Sequence, residues 1–186
     1  MPNNQAIRMT RDLQRALLEL LARQAFTAIT TQQIADAALI HRTTFYAHYA
    51  DKFALLDACL QTQFAQIVTS ATDLTTAPFA TLAKLCANEL APVVVRQRDD
   101  AAFQSAMMHL FFRELSRAAG VPQSLPNYMT ISRVKAVVHW VRETHQPYNI
   151  YTAGSELDTQ MNQAVELAFG ATHAATIDRA GLDTQE

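Results

Sequence analysis

Apolar residues recur along the chain at spacings of three and four, the mark of helices with one buried face. Leu13, Leu17, Leu20 and Leu21 form one such stripe and predict a first helix from about Arg11 to Gln24, with Thr10 as its N-cap. Thr30-Thr31-Gln32-Gln33 reads as a capping box, with Thr30 at the N-cap and Gln33 three residues on. Ile29 and Ile34 flank it at the positions of a hydrophobic staple. The second helix is therefore short and ends near Ala37. A link through Ala38-Leu39-Ile40 leads to a third helix near His41 to His48. Asp51 caps a long fourth helix reaching about Thr72. A fifth follows Thr76-Ala77-Pro78 and is broken or kinked at Pro92. Three more are predicted: Asp99 to Ala119, Pro126 to before Pro147, and Ser155 to Gly170. Val93-Val94-Val95 has strand propensity, but no partner strand is in view.

Composition strengthens the helical reading. The chain has four glycines in 186 residues, and the first is Gly120. Hydrophobic residues make up 49%, enough for a packed core. The fold class is all-α with about nine helices: a three-helix head over 1–52, and a larger helical body over 53–186. The net charge of −2 decides little alone. Through residue 52, six basic side chains face four acidic ones, so a weakly basic head sits on an acidic body. Cys59 and Cys86 lie in apolar helical patterns and read as buried free thiols. Met1 is followed by polar Pro2 to Gln5, and no apolar run reaches membrane-spanning length. A cytoplasmic protein with no membrane partner is expected.

A short helix, a tight link and a second short helix make the geometry of a helix-turn-helix. Ile40, Phe45 and Tyr49 anchor the third helix to the core of the head. His41, Arg42, Thr43, Thr44, Tyr46 and His48 are left facing outward. That set offers a guanidinium for guanine edges, hydroxyls for bases or phosphates, and a phenol and imidazole for backbone oxygens.

From Leu13 to Ala58 the sequence resembles the TetR family of bacterial transcriptional regulators. The resemblance rests on Phe26, Thr30, Ile34-Ala35, Ala38, the run Thr44-Phe45-Tyr46-Ala47-His48-Tyr49-Ala50-Asp51-Lys52, and Ala54-Leu55-Leu56. It looks like the subgroup with a Thr-Phe-Tyr core. The resemblance implies that Arg42, Thr43 and Thr44 face bases or adjoining phosphates, and that Tyr46 and His48 contact phosphates. It also implies that Lys52 clamps another phosphate, and that Thr31 presents its hydroxyl and helix start to the DNA backbone. Ala25 and Leu39 stand where the family usually has glycine. A bulky residue at a left-handed turn position is strained, so either the turn differs or Leu39 offsets the strain by packing.

In the body, Phe103, Met107, Leu110 and Phe111 make one stripe, and Met108, Phe112 and Leu115 make another. A helix apolar on both sides is buried. With Tyr128 and Trp140, the residues Phe103, Met107, Met108, Phe111 and Phe112 line an effector pocket or else form a plain packed core. Ile131, Val134, Val138 and Val141, and Leu157, Met161, Ala164 and Ala168, form two seams for shallow-angle helix packing. Each seam packs within one subunit, or meets its symmetry mate as the resemblance implies.

The resemblance implies a homodimer on double-stranded operator DNA, a repressor released by a small apolar or weakly polar ligand. A regulator that activates, or one controlled by a partner protein, is the alternative. A helical enzyme or metal-binding bundle is the rival of another class. No His-Glu-x-x-His, paired-cysteine or acid-base-nucleophile constellation is visible, so no catalysis, metal or cofactor is expected.

Overall fold

The computed structural model describes residues 4–68, 71–120 and 124–167. Among these, the chain folds into ten α-helices and one 3-10 turn, with no strand. The helices are α1 (Asn4–Leu21), α2 (Thr31–Ala37), α3 (Arg42–His48), α4 (Lys52–Ile67), α5 (Ala71–Thr76), α6 (Pro78–Cys86), α7 (Ala91–Arg96), α8 (Ala101–Ala118), α9 (Leu125–Glu143) and α10 (Gly154–Val165). The 3-10 turn, Phe26–Ala28, joins α1 to α2.

Several boundaries depart from expectation for local reasons. α1 starts at Asn4, so Thr10 lies inside it and caps nothing. Residues 4–9 hold no glycine or proline, and half-buried Met9 extends the Leu13 stripe one turn back. α4 stops at Ile67 rather than Thr72, because Val68 leaves the helical region at φ −82°, ψ 89°. Pro92 does divide the next segment, but it sits in the first turn of α7, where its missing N–H costs nothing. Val93-Val94-Val95 is helical. The expected end of the last helix at Gly170 lies outside the described residues.

One continuous apolar core runs from Leu13 in α1 to Met161 in α10. α4 is the shared element. Its Leu55, Leu56, Leu60 and Phe64 are buried, and the helix packs on α1 on one side and on α6 and α8 on the other. A boundary at residue 52 therefore falls on the first turn of a helix that belongs to both halves. Cys59 and Cys86 are free and buried, and burial pushes both thiols up to about 12. α6 and α10 touch at backbone distance. A Cβ on Gly154 would sit 2.7 Å from Ala80 Cα, so only glycine fits. The buried Asp158 accepts hydrogen bonds from the backbone N–H groups of Phe79 and Ala80 at 3.1 and 2.8 Å, satisfying the first turn of α6.

A candidate nucleic-acid interface

The start of α2 is built as its sequence dictates. Gln33 N–H donates to Thr30 Oγ1 at 3.2 Å, and Thr30 N–H donates to Gln33 Oε1 at 2.9 Å. Ile29 and Ile34 are both buried beneath this reciprocal cap.

The α2–α3 turn is a left-handed helix stop. Ile40 N–H donates to the Ala35 carbonyl at 2.9 Å and Leu39 N–H to the Asp36 carbonyl at 3.1 Å. This is the double hydrogen bond of a Schellman motif, and it needs a left-handed residue at Leu39, whose φ is 57°. Leu39 is 93% exposed, so no packing offsets the strain. Of the two alternatives that the sequence left open, the turn keeps the glycine geometry and the leucine bears it.

Burial orients α3. Phe45 is 0% exposed, an anchor worth roughly 2–3 kcal/mol of apolar transfer. Ile40 and Tyr49 are half-buried beside it. The opposite face leaves Arg42, Thr43, Tyr46 and His48 exposed, with His41 exposed at the N-cap and Thr44 half-buried. The Tyr46 hydroxyl ties this face together. It lies 3.2 Å from Thr31 Oγ1 of α2 and accepts a hydrogen bond from Arg42 Nη2 at 3.0 Å. The Arg42 guanidinium also sits 5.3 Å from the Tyr46 ring centroid. The hydrogen bonds with Thr31 and Arg42 hold the Tyr46 phenol below its ordinary range. Thr31, Arg42 and Tyr46 thus form one connected polar surface across both short helices.

Lys52 is placed differently from the phosphate clamp the resemblance implies. Its ammonium turns inward and donates to the carbonyls of Phe26, Thr27 and Ile29 at 2.8, 3.2 and 2.7 Å. It also lies 4.7 Å from the Phe26 ring centroid. All three N–H donors of the ammonium are engaged. Burial lowers its pKa, with the charge of Asp100 opposing. Here the residue holds the α1–α2 connection in place.

Three side chains from the α7–α8 corner grip the same connection, and sequence reasoning missed all of them. Gln97 accepts from Phe26 N–H at 2.8 Å and donates to the carbonyls of Leu21 and Gln24 at 2.6 and 2.7 Å. Asp100 accepts from both the N–H and the hydroxyl of Thr27, each at 2.8 Å. Arg96 Nε donates to the Arg23 carbonyl at 3.1 Å. Burial raises the Asp100 carboxyl, but hydrogen bonds from Thr27, Phe103 and Ala102 outweigh it and leave the pKa below the ordinary value. These contacts join residues more than 70 positions apart, so no local pattern announces them.

The proposed effector-pocket residues do not gather around one cavity. Phe103, Met107 and Phe111 are at most 1% exposed, Met108 is buried and Phe112 half-buried. Phe111 packs its ring against Phe79 and Phe112. Tyr128 is exposed on α9. Trp140 lines a groove between α9 and α10 and packs at a tilt against Tyr148, with centroids 5.8 Å apart. For α8 the packed-core reading describes the structure.

The expected dimer seams need a parallel correction. Ile131, Val134, Val138, Val141, Leu157 and Met161 are all buried inside the single chain, Val134 and Leu157 completely. They leave no surface for a second subunit. Ala164 is exposed, and Ala168 lies outside the described residues. The open apolar surface is rotated round the helices. It carries Ala136, Val137 and Trp140 of α9 opposite Ala164 and Val165 of α10, and continues to exposed Leu125 and Met129.

Comparison with known proteins adds to this geometry. Residues 13–59 match the family model of the bacterial regulatory proteins, tetR family. A 67-residue stretch is 37% identical to "Uncharacterized HTH-type transcriptional regulator YxbF" of Bacillus subtilis (strain 168). That stretch is 36% of this chain and 18% of the relative, so it spans less than a fifth of YxbF. Among solved structures, NalD, the secondary repressor of the MexAB-OprM multidrug efflux pump in Pseudomonas aeruginosa, aligns over 86% of this chain and 96% of its own. Its TM-score is 0.47 at 16% identity, and a second NalD structure gives 0.42. The segment that holds α2, the turn and α3 is thus similar to the N-terminal domain of the bacterial tetR-family regulators.

Proposed function

We propose that this chain is a sequence-specific DNA-binding transcriptional regulator of the TetR type, acting as a homodimer and as a repressor. The observation that carries this reading is the polar face of α3, fixed outward by buried Phe45 within the segment that matches the family. The major groove is about 12 Å wide and admits such a helix. Arg42 reads a guanine edge. Thr43, Thr44 and His41 contact bases or adjoining phosphates, and Thr31, Tyr46 and His48 hold the backbone. Lys52 acts by positioning the α1–α2 connection rather than by touching DNA. The partner surface for a second copy is the open groove of α9 and α10 around Trp140 and Val137. Two heads about 34–36 Å apart would then meet half-sites one helical turn apart.

The test is a gel shift of the full chain with the duplex upstream of its own gene, at several salt concentrations. A specific shifted band, and an affinity that falls linearly in log–log salt, is the expected result. A chain that shifts no duplex, neither this one nor one selected from a random pool, overturns the proposal.

A further inference from the structure

A surface cleft of about 560 Å³ opens where the start of α8 meets the end of α9 and the segment leading to α10. Arg98, Arg142 and His145 line it, and none of its described lining residues is acidic. Arg98 reaches outward to pair with its exposed neighbour Asp99 at 3.2 Å. Arg142 lies beside the Tyr151 hydroxyl, and its charge opposes the upward shift that burial gives that phenol. The remainder of the lining is mixed, with the amides of Gln104, Gln146 and Asn149 beside apolar and aromatic side chains. Val141 and Ile150 are buried side chains at the cleft, and Tyr148 forms a wall backed by the Trp140 ring. Two guanidiniums and an imidazole beside the half-buried Tyr148 ring recognise a carboxylate carried on a small aromatic or apolar body.

The cleft is also connected to the head. The Tyr151 hydroxyl donates to Gln104 Oε1. Gln104 Nε2 donates to the Gln97 backbone carbonyl at 3.1 Å. The Gln97 side chain holds Leu21, Gln24 and Phe26 in the connection that precedes α2. This hydrogen-bonded path runs from the cleft to the base of the helix-turn-helix.

We infer that this cleft binds a small apolar carboxylate, and that its occupancy alters DNA binding through Tyr151, Gln104 and Gln97. A bound carboxylate draws Arg142 away from Tyr151 and so changes the first link of the path. Tyr151, Gln104 and Gln97 are positioning residues, since none of them touches DNA. The second half of the inference rests on the DNA-binding reading, whereas the binding step is measured without DNA.

The experiment is calorimetric titration of the full chain with benzoate, phenylacetate and hexanoate, with benzamide as the neutral control. At least one acid is expected to saturate the protein in the micromolar to low millimolar range, and benzamide is not. Arg142→Gln and Arg98→Gln should each weaken that acid at least tenfold, with circular dichroism and melting temperature confirming the fold. Absence of saturation by every acid, equal binding of benzamide, or binding that survives both arginine variants overturns the site. With an operator in hand, the bound acid should lower operator affinity about 5- to 150-fold. Tyr151→Phe, compared at acid concentrations that saturate it, should lose most of that effect. Unchanged operator affinity under saturating acid overturns the coupling and leaves the DNA-binding reading standing.

Discussion

Lys52 Nζ lies 2.7 Å from the carbonyl oxygen of Ile29, the residue that precedes the capping box of α2. The same ammonium holds the Phe26 and Thr27 carbonyls, so one cation at the start of α4 fixes the path of the chain into the helix-turn-helix. Replacing it removes the donor to the partly buried Ile29 carbonyl, whereas the Phe26 carbonyl keeps the Ile29 N–H at 3.1 Å. Lys52→Met should destabilise the protein by about 1–3 kcal/mol and weaken binding to every DNA sequence through the misplaced head. The slope of log affinity against log salt should stay unchanged, because no phosphate contact is lost. A slope reduced by about one, with stability intact, would instead place Lys52 on a phosphate.

The exposed turn residue makes a prediction of opposite sign. Leu39 occupies a left-handed conformation that costs a non-glycine residue roughly 1–2 kcal/mol, and its side chain packs on nothing. Leu39→Gly relieves that strain, while the greater freedom of glycine in the unfolded chain returns part of the gain. A net increase of up to about 1 kcal/mol in denaturant unfolding is expected. A clear loss of stability would show that Leu39 makes a contact absent from this structure.

Acid should loosen the junction between head and body. The Asp100 pKa is lowered in the folded chain by its hydrogen bonds, chiefly those with Thr27. A carboxylate with a depressed folded pKa stabilises the fold above its unfolded pKa, near 3.9. That contribution is lost as pH falls below this value and through the folded pKa. Asp100→Asn should therefore cost stability at neutral pH and flatten the fall of the melting temperature at acid pH. Equal pH profiles for the two proteins would remove Asp100 from the account.

Much of the head is legible because its signals are local. The capping box, the staple and the Phe45 anchor each span a few residues, and each is found as read. The body is harder, since a stripe at helical spacing says which side of a helix is apolar but not what covers it. Val134 and Leu157 have the spacing of an intersubunit seam, yet the protomer's own core covers them completely. The surface left for a partner, around Val137 and Trp140, is half-buried and interrupted by Arg133 and Gln160, so it gives no clean period. Gln97 and Asp100 stayed hidden for a different reason. Apart from the Thr27 hydroxyl, their partners in the head are backbone groups, and backbone groups leave no mark in a sequence.

The proposed dimer surface separates buried from open positions. Ala136 is exposed on the open groove, whereas Met161 is 1% exposed within the core. Ala136→Glu should give folded monomers at low micromolar concentration in sedimentation. Met161→Glu should instead fail to fold, since it buries an unpaired carboxylate. An Ala136→Glu protein that stays dimeric would move the interface elsewhere.

The most direct measurement is competition anisotropy of the full chain on an operator selected from a random duplex pool, set against a scrambled duplex at the same salt. The wild type should favour the operator by about a thousandfold or more. Arg42→Ala should lose about 1–3 kcal/mol on the operator and little on the scrambled duplex. Equal affinity of the wild type for both duplexes, or equal losses on both for Arg42→Ala, would contradict a base-reading role for the exposed face of α3.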